Sequence, residues 1–376
     1  MSELRHNAMA IARARSALLQ AGLDSTVALE AASSVTNEVW LTQDHVIRVN
    51  RRPNQRLRRE AILGPSLPPE IGYPMVVAYG GQMGADFLVM KRVEGRPLAH
   101  CWPDMNQEQR RQAVSQLATK LKRLHTTSGP PDLPAIDTPQ MLRSDTLSPA
   151  ISLLAGLDHA RSLPHVDRRL MDDVEQMVFA LTPAIEPFGS DFLVHGDLTF
   201  ENILWDGTHL TALLDFEWSR TAPSDVDLDV FLRMCCLPQF HVGDKWLDRT
   251  KPEDYQDVPW WLAEDYPALF AFPRQHDRLR LYAIAYDLRD LTLFPPTVPA
   301  NQLSEHHSIN RLRATVLGHS YLDLLDASTG IVSLRSAATT QKKPTACEKD
   351  AGDAHPDIDA DTSDLACVID ANRLEP

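Results

Sequence analysis

Two short apolar runs, Ile203-Leu204-Trp205 and Leu210-Thr211-Ala212-Leu213-Leu214, stand on either side of Asp206-Gly207. Asp-Gly between apolar runs is a strong hairpin signal, because the favoured tight turn needs positive φ at its central residues. The pattern therefore predicts two antiparallel strands whose outer ends meet. Asn202 begins the first strand and Asp215 ends the second, so a carboxamide and a carboxylate are brought to one place and can share one metal ion. Upstream, Phe192-Leu193-Val194 reads as a buried strand that feeds His195-Gly196-Asp197-Leu198-Thr199-Phe200-Glu201-Asn202. One segment thus gathers Asp197, Asn202 and Asp215 around a hairpin.

That segment, from His195-Gly196-Asp197 to Asp215-Phe216-Glu217, resembles the aminoglycoside phosphotransferase and choline kinase family of small-molecule kinases. His-Gly-Asp stands where protein kinases have His-Arg-Asp, and Asp-Phe-Glu stands for Asp-Phe-Gly. The resemblance implies an α+β, two-lobed, protein-kinase-like fold with a small antiparallel-sheet N-lobe and a larger, mostly helical C-lobe. It implies ATP (or GTP) and magnesium as cofactors, and a hydroxyl of a small molecule as the phosphoryl acceptor. Asp197 becomes the catalytic base, and Asn202 and Asp215 the magnesium ligands. The residue types suit that chemistry, since magnesium favours a few oxygen ligands over a closed cage. A carboxylate near the acceptor hydroxyl can orient it and take its proton. His195 reads as a brace for the loop, and Glu217 is left between a second metal contact and a loop contact.

The N-terminal third is read in the same frame. Residues 1–23 form an amphipathic helix ending at Gly22, and residues 24–95 a strand-rich nucleotide-binding lobe with a hinge at its end. Strands are predicted at 27–29, 38–41, 45–49, 75–79 and 87–90, with a helix over 54–63. Arg48 lies mid-strand and shares a face with Val46, whereas Ile47 and Val49 point the other way. Through the resemblance Arg48 contacts the nucleotide phosphates and pairs with Glu60 on the following helix. Arginine replaces the lysine of protein kinases, and its planar fork also suits phosphate. Ser34 and Asn37 belong to a glycine-free loop where the family covers the nucleotide; phosphate contact and an ordinary turn both remain open there. Met90 and Lys91 begin the hinge whose backbone reads the adenine edge.

Residues 96–330 read as the helical lobe carrying the catalytic loop and acceptor site, and 331–376 as a disordered tail, small and polar and then acidic. Asn106 is a helix N-cap signal, followed by Val114, Leu117, Ala118, Leu121 and Leu124 at helical spacing. Further helices are predicted at about 165–182, 258–271, 277–292 and 305–326. His125 is read as packing and capping, and Asp227 as the family's brace for the catalytic loop. Trp260, Trp261, Glu264, Asp265, Tyr266, Asp287 and Asp290 are candidates for the acceptor pocket, against the plainer reading of solvated or core positions.

Composition narrows the partners. A net charge of −14 argues against nucleic acid or an anionic membrane surface. No apolar run approaches the ~20 residues of a membrane-spanning helix, and no protein partner is expected. The five cysteines show no zinc-type pairing, and a reducing, cytoplasmic setting is the simplest fit. Two rivals are weighed. A non-catalytic nucleotide- or ligand-binding module of the same fold would not need Asp197, Asn202 and Asp215 intact. A protein kinase would need the long activation segment that this chain lacks.

Overall fold

The computed structural model describes residues 2–32, 37–135, 139, 142, 148–186, 188–189, 192–326 and 331–332. It opens with helix α1 (Ser2–Gln20), closed by Gly22 at φ +72°. Strands β1 (Glu30–Ala32), β2 (Asn37–Leu41), β3 (His45–Asn50), β4 (Val76–Gly80) and β5 (Phe87–Lys91) then form one antiparallel sheet in the order β1-β2-β3-β5-β4. Helix α2 (Arg56–Leu63) falls between β3 and β4.

Alternation along β3 decides what each face of the sheet does. Ile47 and Val49 pack with Trp40, Phe87 and Val89 against Ala10, Ala14 and Leu18 of α1. Val46 lies on the opposite face, against Leu57 of α2, Leu88 and Met90. Arg48 belongs to that second face, between sheet and α2, with 9% exposure. The first strand starts three residues later than its predicted position. Val27 and Leu29 instead pack against the α1–sheet core, and Arg15 draws in the carbonyls of Ser25 and Val27.

The helical lobe contains α3 (Leu98–Cys101), α4 (Gln107–Leu124), α5 (Pro149–Arg161), α6 (Arg168–Leu181), α7 (Asp225–Cys236), α8 (Val258–Asp265), α9 (Gln275–Leu293) and α10 (Ser308–Leu317). Helix α4 begins with a capping box: the Asn106 side chain accepts from the Gln109 amide, and Gln109 returns a bond to the Asn106 amide. All five apolar residues expected on its inner face are buried. Helix α5 is an addition; its weak apolar period gives little signal, yet Leu153, Leu157 and Ala160 join the main core.

Short strand pairs support the segment from Phe192 to Asp215. β7 (Leu193–Val194) pairs with β10 (Arg220–Thr221), while β8 (Ile203–Trp205) lies between β6 (Arg96–Pro97) and β9 (Leu210–Leu213). The lobes also meet at Gly72, whose φ is +74° and where a Cβ would lie 1.9 Å from the Thr211 carbonyl oxygen. Lys120 of α4 caps the same turn by donating to the carbonyls of Glu70 and Ile71. Near the end, β11 (Leu325–Asp326) pairs with β12 (Ile331–Val332). The rest of the tail expected to be disordered lies outside the described residues. No described helix is long and apolar enough to cross a membrane.

Candidate active site

The hairpin forms with its turn one residue further on than the signal placed it: the Asp206 amide donates to the His209 carbonyl across Gly207-Thr208, and Gly207 alone of these has positive φ, +111°. At the open end the Leu214 amide donates to the Asn202 carbonyl at 2.8 Å. That bond fixes Asn202 beside the start of the Asp215 segment. Asn202 turns its amide inward: Nδ2 donates to the Asp197 carbonyl at 2.9 Å and to Asp197 Oδ2 at 3.0 Å. One side chain thereby orients the carboxylate of the loop and keeps its own oxygen off that carboxylate.

The loop itself is held from behind. His195 Nε2 donates to the Leu214 carbonyl at 2.8 Å, and Nδ1 accepts the Asp197 amide at 3.3 Å. A carbonyl can only accept and an amide only donate, so these partners select the neutral Nε2-protonated tautomer. Asp227, at the start of α7, accepts the amides of His195 and Gly196, each at 2.7 Å. It also takes His125 Nε2 at 3.0 Å. Burial alone would push this carboxyl up, but His125 and the Gly196 amide act against it, and Asp227 is held below the ordinary carboxylate range. His125 and Asp227 thus form a buried brace.

Across the cleft, Arg48 reaches three carboxylates. Nη1 bonds Glu60 at 2.5 Å, and Nη2 bonds Asp215 at 3.0 Å and Glu217 at 3.2 Å. Asp215 has left-handed backbone angles, φ 61° and ψ 58°, a conformation that aspartate tolerates better than most residues. Past this kink, Phe216 enters the core while Glu217 joins Asp215 on Arg48. Glu60, Asp215 and Glu217 bring one oxygen each within 4.8 Å of one another. Arg56 adds a second guanidinium to Glu217 at 3.1 Å. Two guanidiniums against three carboxylates leave excess negative charge. Burial, with Asp215 close by, pushes Glu60 up to about 7 and Glu217 up to about 8, even though Arg48 opposes the shift. The neighbouring carboxylates keep Arg48 charged. An all-oxygen, electron-rich cluster of this kind fits a hard divalent cation.

Sequence reasoning left out three residues here. Arg56 is four residues before Glu60 on α2, so helical spacing alone could have placed it on the cleft face. Arg59 donates to the carbonyls of Glu217 and Ser219 and ties α2 to the segment after Asp215. Burial, and Arg220 beside it, lower its pKa to about 10. Tyr73 bonds Glu60 at 2.8 Å, and no local pattern signals that.

The remaining candidates are placed less centrally. Ser34 lies outside the described residues, and Asn37 is buried at the start of β2 opposite Asn50. Met90 is buried at the end of β5, and the Lys91 amide is engaged with the Met75 carbonyl at 2.9 Å. Several acceptor-pocket candidates pair within the chain. Trp260 bonds Glu264, Asp265 bonds Arg111, and Asp287 and Asp290 bond Arg311. Tyr266 meets His125 at 3.3 Å, and Trp261 is in the core.

Solved structures share the overall fold at low identity. ADP-bound aminoglycoside phosphotransferase APH(2'')-Ib superposes with a TM-score of 0.53 and 16% identity, covering 78% of this chain and 95% of its own. A choline/ethanolamine kinase family protein from Mesorhizobium loti gives 0.55 and 15%, covering 88% and 99%. A GDP and kanamycin complex of APH(2")-IIIa gives 0.51 and 17%, covering 80% and 96%. No curated protein matches the chain in sequence. The two-lobed protein-kinase-like fold is therefore common to all three. The model of the phosphotransferase enzyme family matches residues 28–240, which span the sheet, the loop from His195 to Asn202, the hairpin and α7, and the chain belongs to that family.

Proposed function

We propose that this protein transfers the γ-phosphoryl group of ATP or GTP, with magnesium, to a hydroxyl of a small molecule. The observation that carries the reading is a linked set: Asn202 bonds Asp197 and is tied by its carbonyl to Leu214, next to Asp215, which bonds the Arg48 that Glu60 holds. Asn202 and Asp215 would hold the metal, with Glu217 as a further carboxylate. Magnesium bound there supplies charge compensation for the phosphates. Arg48 takes phosphate oxygens, and Glu60 holds Arg48 in place. Asp197, oriented by Asn202, accepts the acceptor's proton as the new oxygen–phosphorus bond forms and the bond to the β–γ bridging oxygen breaks. Ser34 is assigned to the phosphate-covering loop and Asn37 to the first position of the strand that follows it, and Met90 and Lys91 to the hinge beside the base. Because the Lys91 amide is engaged with Met75, a backbone donor to the base has to come from beyond it. The nucleotides and the kanamycin named for the structural neighbours support a nucleotide cofactor and a small-molecule acceptor.

The test is nucleoside-diphosphate release across a panel of hydroxyl-bearing small molecules, with and without magnesium, in wild type and Asp197→Asn. Acceptor-stimulated, magnesium-dependent release that the variant loses by about a hundredfold or more supports the reading. A wild-type protein that binds neither nucleotide contradicts it.

A further inference from the structure

We infer that Tyr73 is a positioning residue for nucleotide binding: its hydroxyl fixes Glu60, and through Glu60 the Arg48 guanidinium. The inference rests on the nucleotide reading of the cleft and deepens it. Tyr73 lies in the connection between α2 and β4, outside every motif of the chain. Its hydroxyl donates to Glu60 Oε2 at 2.8 Å, and Met90 Sδ is 3.5 Å away. Its ring meets Phe216 edge-on, with centroids 5.5 Å apart. Gly64 makes room for that ring, since a Cβ there would lie 2.7 Å from Tyr73 Cε1.

The physical need comes from Glu60, which is fully buried. A buried carboxylate is tolerated only when its oxygens receive donors. Glu60 receives Arg48 on Oε1 and Tyr73 on Oε2, together with the Phe216 amide. Tyr73 is the one neutral side-chain donor among them, so it satisfies Oε2 without adding charge. Without it, Glu60 is left short of a donor and its hold on Arg48 weakens. Arg48 already has two other partners, Asp215 and Glu217. A loosened Arg48 would settle on those carboxylates and leave the phosphate position.

The test measures Kd for Mg-ATP and Mg-GTP in wild type, Tyr73→Phe, Glu60→Gln and the double variant. Phe keeps the ring and removes only the hydroxyl. The expected result is about tenfold weaker binding in Tyr73→Phe, and a double variant no weaker than Glu60→Gln. Full additivity of the two effects would overturn the inference, because a Tyr73 that merely packs does not need Glu60 to act. Wild-type affinity in Tyr73→Phe would overturn it as well, with the nucleotide reading intact. Absence of binding in wild type would overturn that reading and this inference together.

Discussion

The carboxylates of Asp215 and Glu217 meet on one nitrogen, Arg48 Nη2, at 3.0 and 3.2 Å. With Glu60 on the neighbouring nitrogen, acid outnumbers base in a buried place. Ligand-free, the cleft is a site of electrostatic tension.

Stability of the ligand-free protein should therefore fall as pH rises from about 5 to 8. Glu60 and Glu217 keep protons up to about 7 and about 8 when folded, against 4.5 for the ordinary group. Between those values the folded state binds more protons than the unfolded state, so the slope is negative, about 1.4 kcal/mol per pH unit for one retained proton. The contribution is complete below 4.5 and gone above about 8. Melting midpoints across this range, in wild type and Glu217→Gln, check it. The variant should show a shallower decline, and so should wild type saturated with magnesium and nucleotide. A midpoint that rises from pH 5 to 8 in wild type would contradict the assignment.

Gly196→Ala should abolish phosphoryl transfer and destabilise the fold by about 3 kcal/mol. Gly196 has φ +84°, and a Cβ would fall 2.4 Å from the Trp218 carbonyl oxygen and 2.8 Å from Arg220 Nη1. Neither neighbour can give easily, because Arg220 also donates to the Leu142 carbonyl and to that of Trp218. Urea denaturation measures the loss. A variant as stable as wild type would show that the loop relaxes around the methyl.

Asp227→Asn should cost about 3 kcal/mol and lower kcat more than it raises KM. The carboxylate accepts three donors, the amides of His195 and Gly196 and the His125 ring. An amide must turn its NH2 towards at least one of them. Because the folded pKa lies below 3.8, this contribution is present above that value and lost as pH falls through the folded pKa. Wild type and variant should thus converge in stability under strong acid. A constant difference down to pH 2 would refute the linkage.

Much of the architecture was legible along the chain. Alternation in β3 put Arg48 on the face opposite Ile47 and Val49, and the sheet keeps that register. Asp206-Gly207 predicted the hairpin, and Asn106 the start of α4. The first strand was displaced because Val27 and Leu29 have an apolar surface to join, the back of the sheet beneath α1, that no local window contains. Helix α5 was missed because its burial depends on where α9 runs.

The sequence by itself determined the residues that fix local backbone geometry: glycines at positive φ, the cap of α4, the two-residue period of β3 and the turn of the hairpin. These effects act within a few bonds, so neighbours in sequence suffice to set them. The tertiary structure alone decided which partners Tyr73, Arg56 and Arg59 meet: respectively the Glu60 carboxylate, the Glu217 carboxylate and the Glu217 backbone carbonyl. Their contacts span 13, 161 and 158 residues. Hydrogen bonds and charge act over a few ångströms of space, whatever the length of chain between the partners. Packing α2 against the helical lobe brings Arg56 and Arg59 within that range, and the path of the chain between α2 and β4 does so for Tyr73.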